Sequence, residues 1–375
     1  MQERNYGIDF LRVISMFMIV ILHILGNGGI LASVQTGSST YHASWLMEIA
    51  SYCAVNCYAL ISGYVGIYSS HKYSNILYLW LQVIFYTLSI TLLFNIFSPS
   101  SLNISSWLDA FFPVSRKQYW YFTAYFCMFF FTPYFNYLLN NLSKKELTSL
   151  CLTILFLLCL LPTLAQSDLF QTSYGYSFLW LSALYILGGY IRKYFTVQKR
   201  TSNKIILIYP CCIFITWMIQ YAIDTSSFNI TALLKSGNPL LSYSSPTIVL
   251  SALSLLLFFS NLNLHSLIKK TIKLIAPFSF SVYLIHTQAF FWYKMTNLFS
   301  LYSSFPIFKL IFSVLLTAMF IYISCSIIDF IRSKLFQLLR IRSLTKKIDS
   351  YISALRSYTV NHPYYLNFKP PFPAA

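Results

Sequence analysis

The chain has 375 residues, of which 57% are hydrophobic, 19% aromatic and only 9% charged. A soluble domain carries about a quarter charged residues, so this composition excludes a soluble globular enzyme, a disordered chain and a disulfide-stapled secreted domain. The net charge of +17, from 26 Lys and Arg against 9 Asp and Glu, would point to nucleic acid in a soluble protein. Here it points to cytoplasmic loops rich in Lys and Arg, and no nucleic-acid partner is expected. The eight Cys all fall in apolar stretches with no CxxC pair, so they read as small buried hydrophobes.

A membrane-spanning helix needs about 20 mostly apolar residues. Ten segments qualify, near residues 8–27, 44–66, 75–98, 119–141, 146–164, 176–195, 204–222, 240–260, 274–293 and 305–335. The first holds Asp9 and Arg12 and is followed by no small-residue cleavage site, so it reads as a span and not as a signal peptide. The last is too long for one straight span, and its end is expected to leave the membrane as a basic helix.

The basic residues test this count. With the N-terminus inside, only Arg116, Lys117, Lys235, Lys294 and Lys309 fall outside, leaving 21 of the 26 inside. That asymmetry follows the positive-inside rule. The expected fold is an all-α polytopic membrane protein of ten transmembrane helices with both termini cytoplasmic. Residues 1–335 would form the membrane domain, and residues 336–375 a basic tail against the anionic inner leaflet. The Ser/Asn-rich loops 99–118 and 223–239 would lie over the outer face.

Each ionisable group inside the hydrocarbon costs about 2.5–3.5 kcal/mol on insertion scales, so each needs a reason. Of six His, only His23 and His286 lie deep in spans. The eleven residues from Arg12 to His23 make three turns plus about 20°, so both side chains share one face, about 16 Å apart along the axis. Ser15, Met16 and Ile19 lie between them on that face, and Asp9 is within pairing reach of Arg12. His286 sits about 12 residues into the ninth segment, which puts it near the depth of His23. Glu48 lies near the outer start of the second segment. Arg116, Lys117, Tyr119, Trp120 and Tyr121 mark the outer start of the fourth. Taken singly, each has an ordinary reading as helix glue, a snorkelling cation or an aromatic belt. Together they compose a pocket in the outer half of one bundle suited to a sugar-like ligand.

Three stretches resemble the acyltransferase 3 family of bacterial integral-membrane O-acyltransferases. NYGIDFLRVISMFMIVILH at 5–23 fits its first-helix pattern of a cation, ten residues and a His, here Arg12 and His23. YWYFTAYFCMFFFTPYFNYLL at 119–139 is similar to its aromatic fourth helix, and SFSVYLIHTQ at 279–288 to its late Tyr-Leu-Ile-His segment. The resemblance implies a bacterial plasma-membrane enzyme that moves an acetyl or other short acyl group. The co-substrate would be cytoplasmic acetyl-CoA, with no bound cofactor. The acceptor would be a hydroxyl of an extracytoplasmic glycan, with capsular polysaccharide or exopolysaccharide (or a lipid-linked precursor) the first choice. It makes His23 essential for transfer and Arg12 an aid on the cytoplasmic side. One departure stands out: where the family often has an Arg-x-x-Arg pair, this chain reads SSHKYSNILY. The donor grip would then fall to Arg12, Lys72 and the Arg192–Lys204 loop. Some relatives carry a soluble esterase-like domain; none is expected here, so transfer would be completed within the membrane domain.

Acyl transfer to a hydroxyl needs a base and oxyanion stabilisation. Imidazole suits the first task, so His23 is the expected base or transient acyl carrier, with Glu48 a candidate to orient it. His286, Tyr119 and Tyr121 would hydrogen-bond the acceptor or the oxyanion, and Trp120 would stack on a sugar ring. Two deep His and few carboxylates are too thin for a metal site. A polysaccharide or lipid-linked sugar exporter is the competing reading. It predicts inverted repeats, yet Pro133, Pro210, Pro246 and Pro277 do not fall at matching places in two halves.

Overall fold

The structure, a computed structural model, describes residues 4–98, 103–195, 204–225 and 237–361. Among these residues every regular element is a helix, and each of the ten segments expected to span is helical. In chain order the longer elements begin with α1 (Tyr6–Leu25), the short α2 (Ile30–Ser33), and α3 (Ser39–Tyr52) followed at once by α4 (Ala54–Gly66). Next come α5 (Tyr73–Phe97), α6 (Ile104–Phe111) and α7 (Trp120–Asn141). A π turn at Phe156–Leu160 joins α8 (Lys144–Leu155) to α9 (Leu161–Ala165), and α10 (Phe178–Tyr194) and α11 (Ile208–Thr225) follow. Then come α12 (Pro246–Ser260), α13 (Ser266–Ile275), α14 (Ser279–His286), α15 (Ala289–Met295), α16 (Ile307–Leu338) and α17 (Ile341–Asn361). Parts of the Arg192–Lys204 loop, of both outer loops and of the basic tail lie outside the described residues.

Five stretches are long and apolar enough to cross a membrane: Tyr6–Ser33, Ser39–Gly66, Tyr73–Phe97, Lys144–Ala165 and Ile307–Leu338. A sixth is made if Ser266–His286 and Ala289–Ser304, bent by 72°, count as one span. This bend corrects the straight ninth helix expected over 274–293. The helix stops at His286, and Gln288 starts the next one, its Oε1 accepting the Phe290 N–H at 2.8 Å. A side chain that caps a new helix closes off the old one.

The α1 helix is the spine of the bundle. Its apolar window is 72% buried, against 22% for α16, whose outward Phe308, Phe312 and Phe320 are exposed. Faces this apolar are what hydrocarbon solvates. The start of α1 is fixed by Asn5, whose Oδ1 accepts the N–H groups of Gly7 and Ile8 while its Nδ2 reaches the Ser260 carbonyl at the end of α12. Helices α4 and α10 approach backbone to backbone. A Cβ at Gly63 would overlap the Tyr185 carbonyl, and one at Gly188 the Leu60 carbonyl. Small residues at such crossings let helices pack without a hydrophobic driving force between them. Six of the eight Cys are buried, whereas Cys127 and Cys211 lie on exposed helix faces.

Two features of the C-terminal part were not expected. Arg332, near the end of the last expected span, is buried in α16 and bonded twice to Asp329, at 2.8 and 2.9 Å. The following helix α17 lies across the first turn of α5: Asp349 accepts the Ser74 N–H at 3.0 Å, and Arg342 donates to Asn75 at 2.9 Å.

Candidate active site

The stripe read on the first helix opens onto three cavities. Met16, Ile19 and His23 line a small central one of about 40 Å³. Arg12, three turns below, lines recesses at the opposite end of the helix. Ser15, placed on the same stripe, is buried and makes no hydrogen bond through its Oγ.

The two deep histidines meet. His23 Nδ1 lies 2.8 Å from His286 Nε2, and the edge of Trp292 packs on the His23 ring at 4.8 Å and 89°. The tautomers follow from the partners. His286 Nδ1 faces the Val282 carbonyl, which can only accept, so that nitrogen carries the proton. A neutral His286 then offers a lone pair at Nε2, and His23 Nδ1–H donates to it. The remaining nitrogen of His23, Nε2, is left with its lone pair. The backbone carbonyl of one helix thus sets the basic nitrogen of another.

Aromatic rings make up the rest of the wall. Tyr58 comes from α4, Trp120 and Tyr121 from α7, Tyr243 from the turn before α12, and Phe280 and Tyr283 from α14. Tyr58 donates to the Arg12 carbonyl at 2.8 Å, which ties the cavity wall to the spine. Tyr243 is pinned from behind: Asn56, itself buried and held by Trp180 Nε1, donates to the Tyr243 carbonyl at 2.7 Å.

The recesses at the Arg12 end are polar and cationic. Arg12 and Lys72 share one of about 220 Å³ with Tyr125 and Asn136. Arg12, Arg4 and Arg192 share another of about 530 Å³. Arg12 is paired with Asp9 at 2.6 Å, and Asp9 also takes Arg4. His71, beside Lys72 on the same loop, bonds Thr132 at 3.0 Å and lies on the Phe129 ring at 4.3 Å. Lys72 is the cation that this loop contributes to the recess. Tyr125 lies one turn beyond Tyr121 on α7, so one face of that helix runs from inner recess to central cavity.

Two expected site residues stand elsewhere. Glu48 is not bonded to His23, whose Nδ1 belongs to His286; the orienting task read for Glu48 passes to that imidazole. Tyr119 is buried with its hydroxyl on the Leu284 carbonyl at 2.8 Å, so it fastens α7 to α14 and does not line the cavity. Tyr58 and Tyr243 escaped the sequence reading because 30 Tyr are spread along the chain and no spacing marks these two. Tyr283 carried a signal, lying inside the quoted segment SFSVYLIHTQ.

The acyltransferase domain model of the acyltransferase 3 family matches residues 5–329. Neither a curated protein nor a solved structure matches the chain. The matched stretch takes in α1 with Arg12 and His23, the aromatic start of α7, and α14 with His286. The chain belongs to the acyltransferase 3 family and is a membrane acyltransferase.

Proposed function

We propose that the chain is a ten-span O-acetyltransferase of the bacterial plasma membrane with both termini inside. On this reading it moves an acetyl or other short acyl group from cytoplasmic acetyl-CoA to a hydroxyl of a cell-surface glycan. Capsular polysaccharide or exopolysaccharide, or its lipid-linked precursor, is the first-choice acceptor. The observation that carries this reading is the His23–His286 contact, which leaves His23 Nε2 basic in a cavity whose helix continues down to the Arg12 recess.

In this scheme Arg4, Arg12, Lys72 and Arg192 attract the phosphates of the donor, and the pantetheine arm follows the Tyr125–Tyr121 face of α7 upward. His23 Nε2 takes the proton of the acceptor hydroxyl as its oxygen attacks the thioester carbonyl. The new C–O bond forms, the C–S bond breaks, and the departing thiolate recovers the proton from His23. His286 holds the tautomer throughout, and Tyr121 is the candidate donor to the oxyanion. Family membership favours this reading over an exporter, which would move its sugar without any acyl donor.

The test is transfer from radiolabelled acetyl-CoA to glycan by purified protein in sealed proteoliposomes. His23→Gln should lower the rate by about 10²–10⁴-fold while keeping the size-exclusion profile of the parent. Normal transfer by that variant would reduce His23 to packing. Movement of glycan without acetylation would restore the exporter.

A further inference from the structure

Next to the His23 cavity, on the side of the loop between α9 and α10, lies a recess of about 300 Å³, at the small end of ligand pockets. Tyr52, Tyr174, Tyr176, Gln166, Asn238 and Ser242 line it. Among the described residues no Asp, Glu, Lys or Arg does. Aromatic faces with amides and hydroxyls, and no charge, suit a polyhydroxylated uncharged ring: its C–H faces stack, and its hydroxyls find both donors and acceptors.

The walls are built to stay in place. Ser173, Tyr174 and Gly175 all have positive φ, at 51°, 52° and 102°, a run that side chains other than glycine adopt only when their surroundings demand it. Asp168 makes that demand, accepting the N–H and hydroxyl of Thr172 at 2.8 Å and the Ser173 N–H at 2.7 Å. At Gly175 a Cβ would strike Tyr243, so the loop is seated against the pinned wall. Glu48 lies one turn before Tyr52 on the same face of α3. Its Oε2 is buried without a hydrogen-bond partner, but Glu48 stands behind Tyr52 and does not line the recess.

Three rings separate this recess from His23. Tyr176 lies 4.6 Å from Trp120 and 4.8 Å from Tyr243, and Trp120 and Tyr243 line the central cavity. We propose that the recess is the acceptor subsite, that it takes a neutral sugar ring stacked on Tyr52 and Tyr176, and that the Trp120 and Tyr176 rings turn aside, over the fixed Tyr243, to present a hydroxyl to His23. This rests on the acyl-transfer reading and adds where the acceptor sits and which charge class it belongs to.

The probe is glycan extracted from cells lacking this gene, split by anion exchange into neutral and anionic fractions. The neutral fraction should take label from acetyl-CoA. Tyr176→Ala should raise its half-saturating concentration about tenfold with that of acetyl-CoA unchanged, and Tyr176→Phe should restore it. Preferential labelling of the anionic fraction overturns the class, and unchanged acceptor saturation in both Tyr176→Ala and Asn238→Ala overturns the location. A second measurement needs no transfer: the thiol introduced by Ser242→Cys, followed by peptide mass spectrometry, should react more slowly with maleimide when the neutral fraction is present. No slowing overturns the subsite even if acetylation proceeds. Slowing without acetylation by the unaltered chain supports the subsite and removes the acyl-transfer reading instead.

Discussion

The run Asp-Phe-aliphatic-Arg occurs twice, as Asp9–Arg12 in α1 and Asp329–Arg332 in α16, and each forms an ion pair across three residues. Their surroundings differ. Arg332 and Asp329 are 6% and 0% exposed, and Tyr86 completes the group by donating to Asp329 at 2.6 Å. Arg12 is 32% exposed and opens onto two recesses. A charge inside a span therefore does not by itself mark a ligand site. The same four-residue pattern serves to lock α16 to α5 in one place and to face an inner cavity in the other. What separates them is whether the cation keeps donors free for something outside the protein.

The largest expected effect lies with the closed pair. Arg332→Ala strands a buried carboxylate, which costs about 3–5 kcal/mol and should show as a marked loss of thermal stability in detergent. Replacing both partners, as in Asp329→Leu with Arg332→Met, should recover most of it, since an apolar pair of similar size is often neutral. Equal melting temperatures for Arg332→Ala and the parent would erase the contrast. The open pair should behave the other way. Arg12→Ala should cost no more than about 1 kcal/mol in stability yet raise half-saturation by acetyl-CoA about tenfold; unchanged donor saturation would make Arg12 structural too.

The smallest effect concerns the tail helix α17. Burial pushes the Asp349 carboxyl up, but hydrogen bonds from Ser74 and the nearby Lys72 outweigh it and hold it below the usual carboxylate range. A lowered folded value means the contact stabilises above the unfolded Asp pKa, near 3.9, and is lost as pH falls through the folded one. Protection factors for hydrogen exchange in α17 should be steady from pH 7 to 5 and fall below about pH 4. A fall already at pH 6 would assign the docking to another group.

The length of apolar runs and the helical repeat are local signals, and they sufficed for the helical character of the ten segments and for the alignment of Arg12 with His23. The His23–His286 contact joins residues 263 apart in sequence; only their matching depth hinted at it, and nothing local fixed the tautomers. The burial of Arg332 was not legible because the α5 tyrosines that enclose its pair with Asp329 reach it only once the helices pack. The bend after His286 hung on a single capping side chain, Gln288, inside an otherwise apolar run. The Asp168-pinned loop left no spacing signature, because its strain arises from packing against Tyr243.

The partition of Trp120, Tyr176 and Tyr243 bears on how the enzyme treats a perishable reagent. A thioester held beside a basic nitrogen is open to hydrolysis whenever solvent arrives before sugar. A chamber of about 40 Å³ walled by rings admits few water molecules, and on the subsite proposal the guest that moves the rings is the acceptor itself. On the two proposals together, consumption of acetyl-CoA would be coupled to the arrival of glycan, and a cell making no polymer would keep its activated acetate.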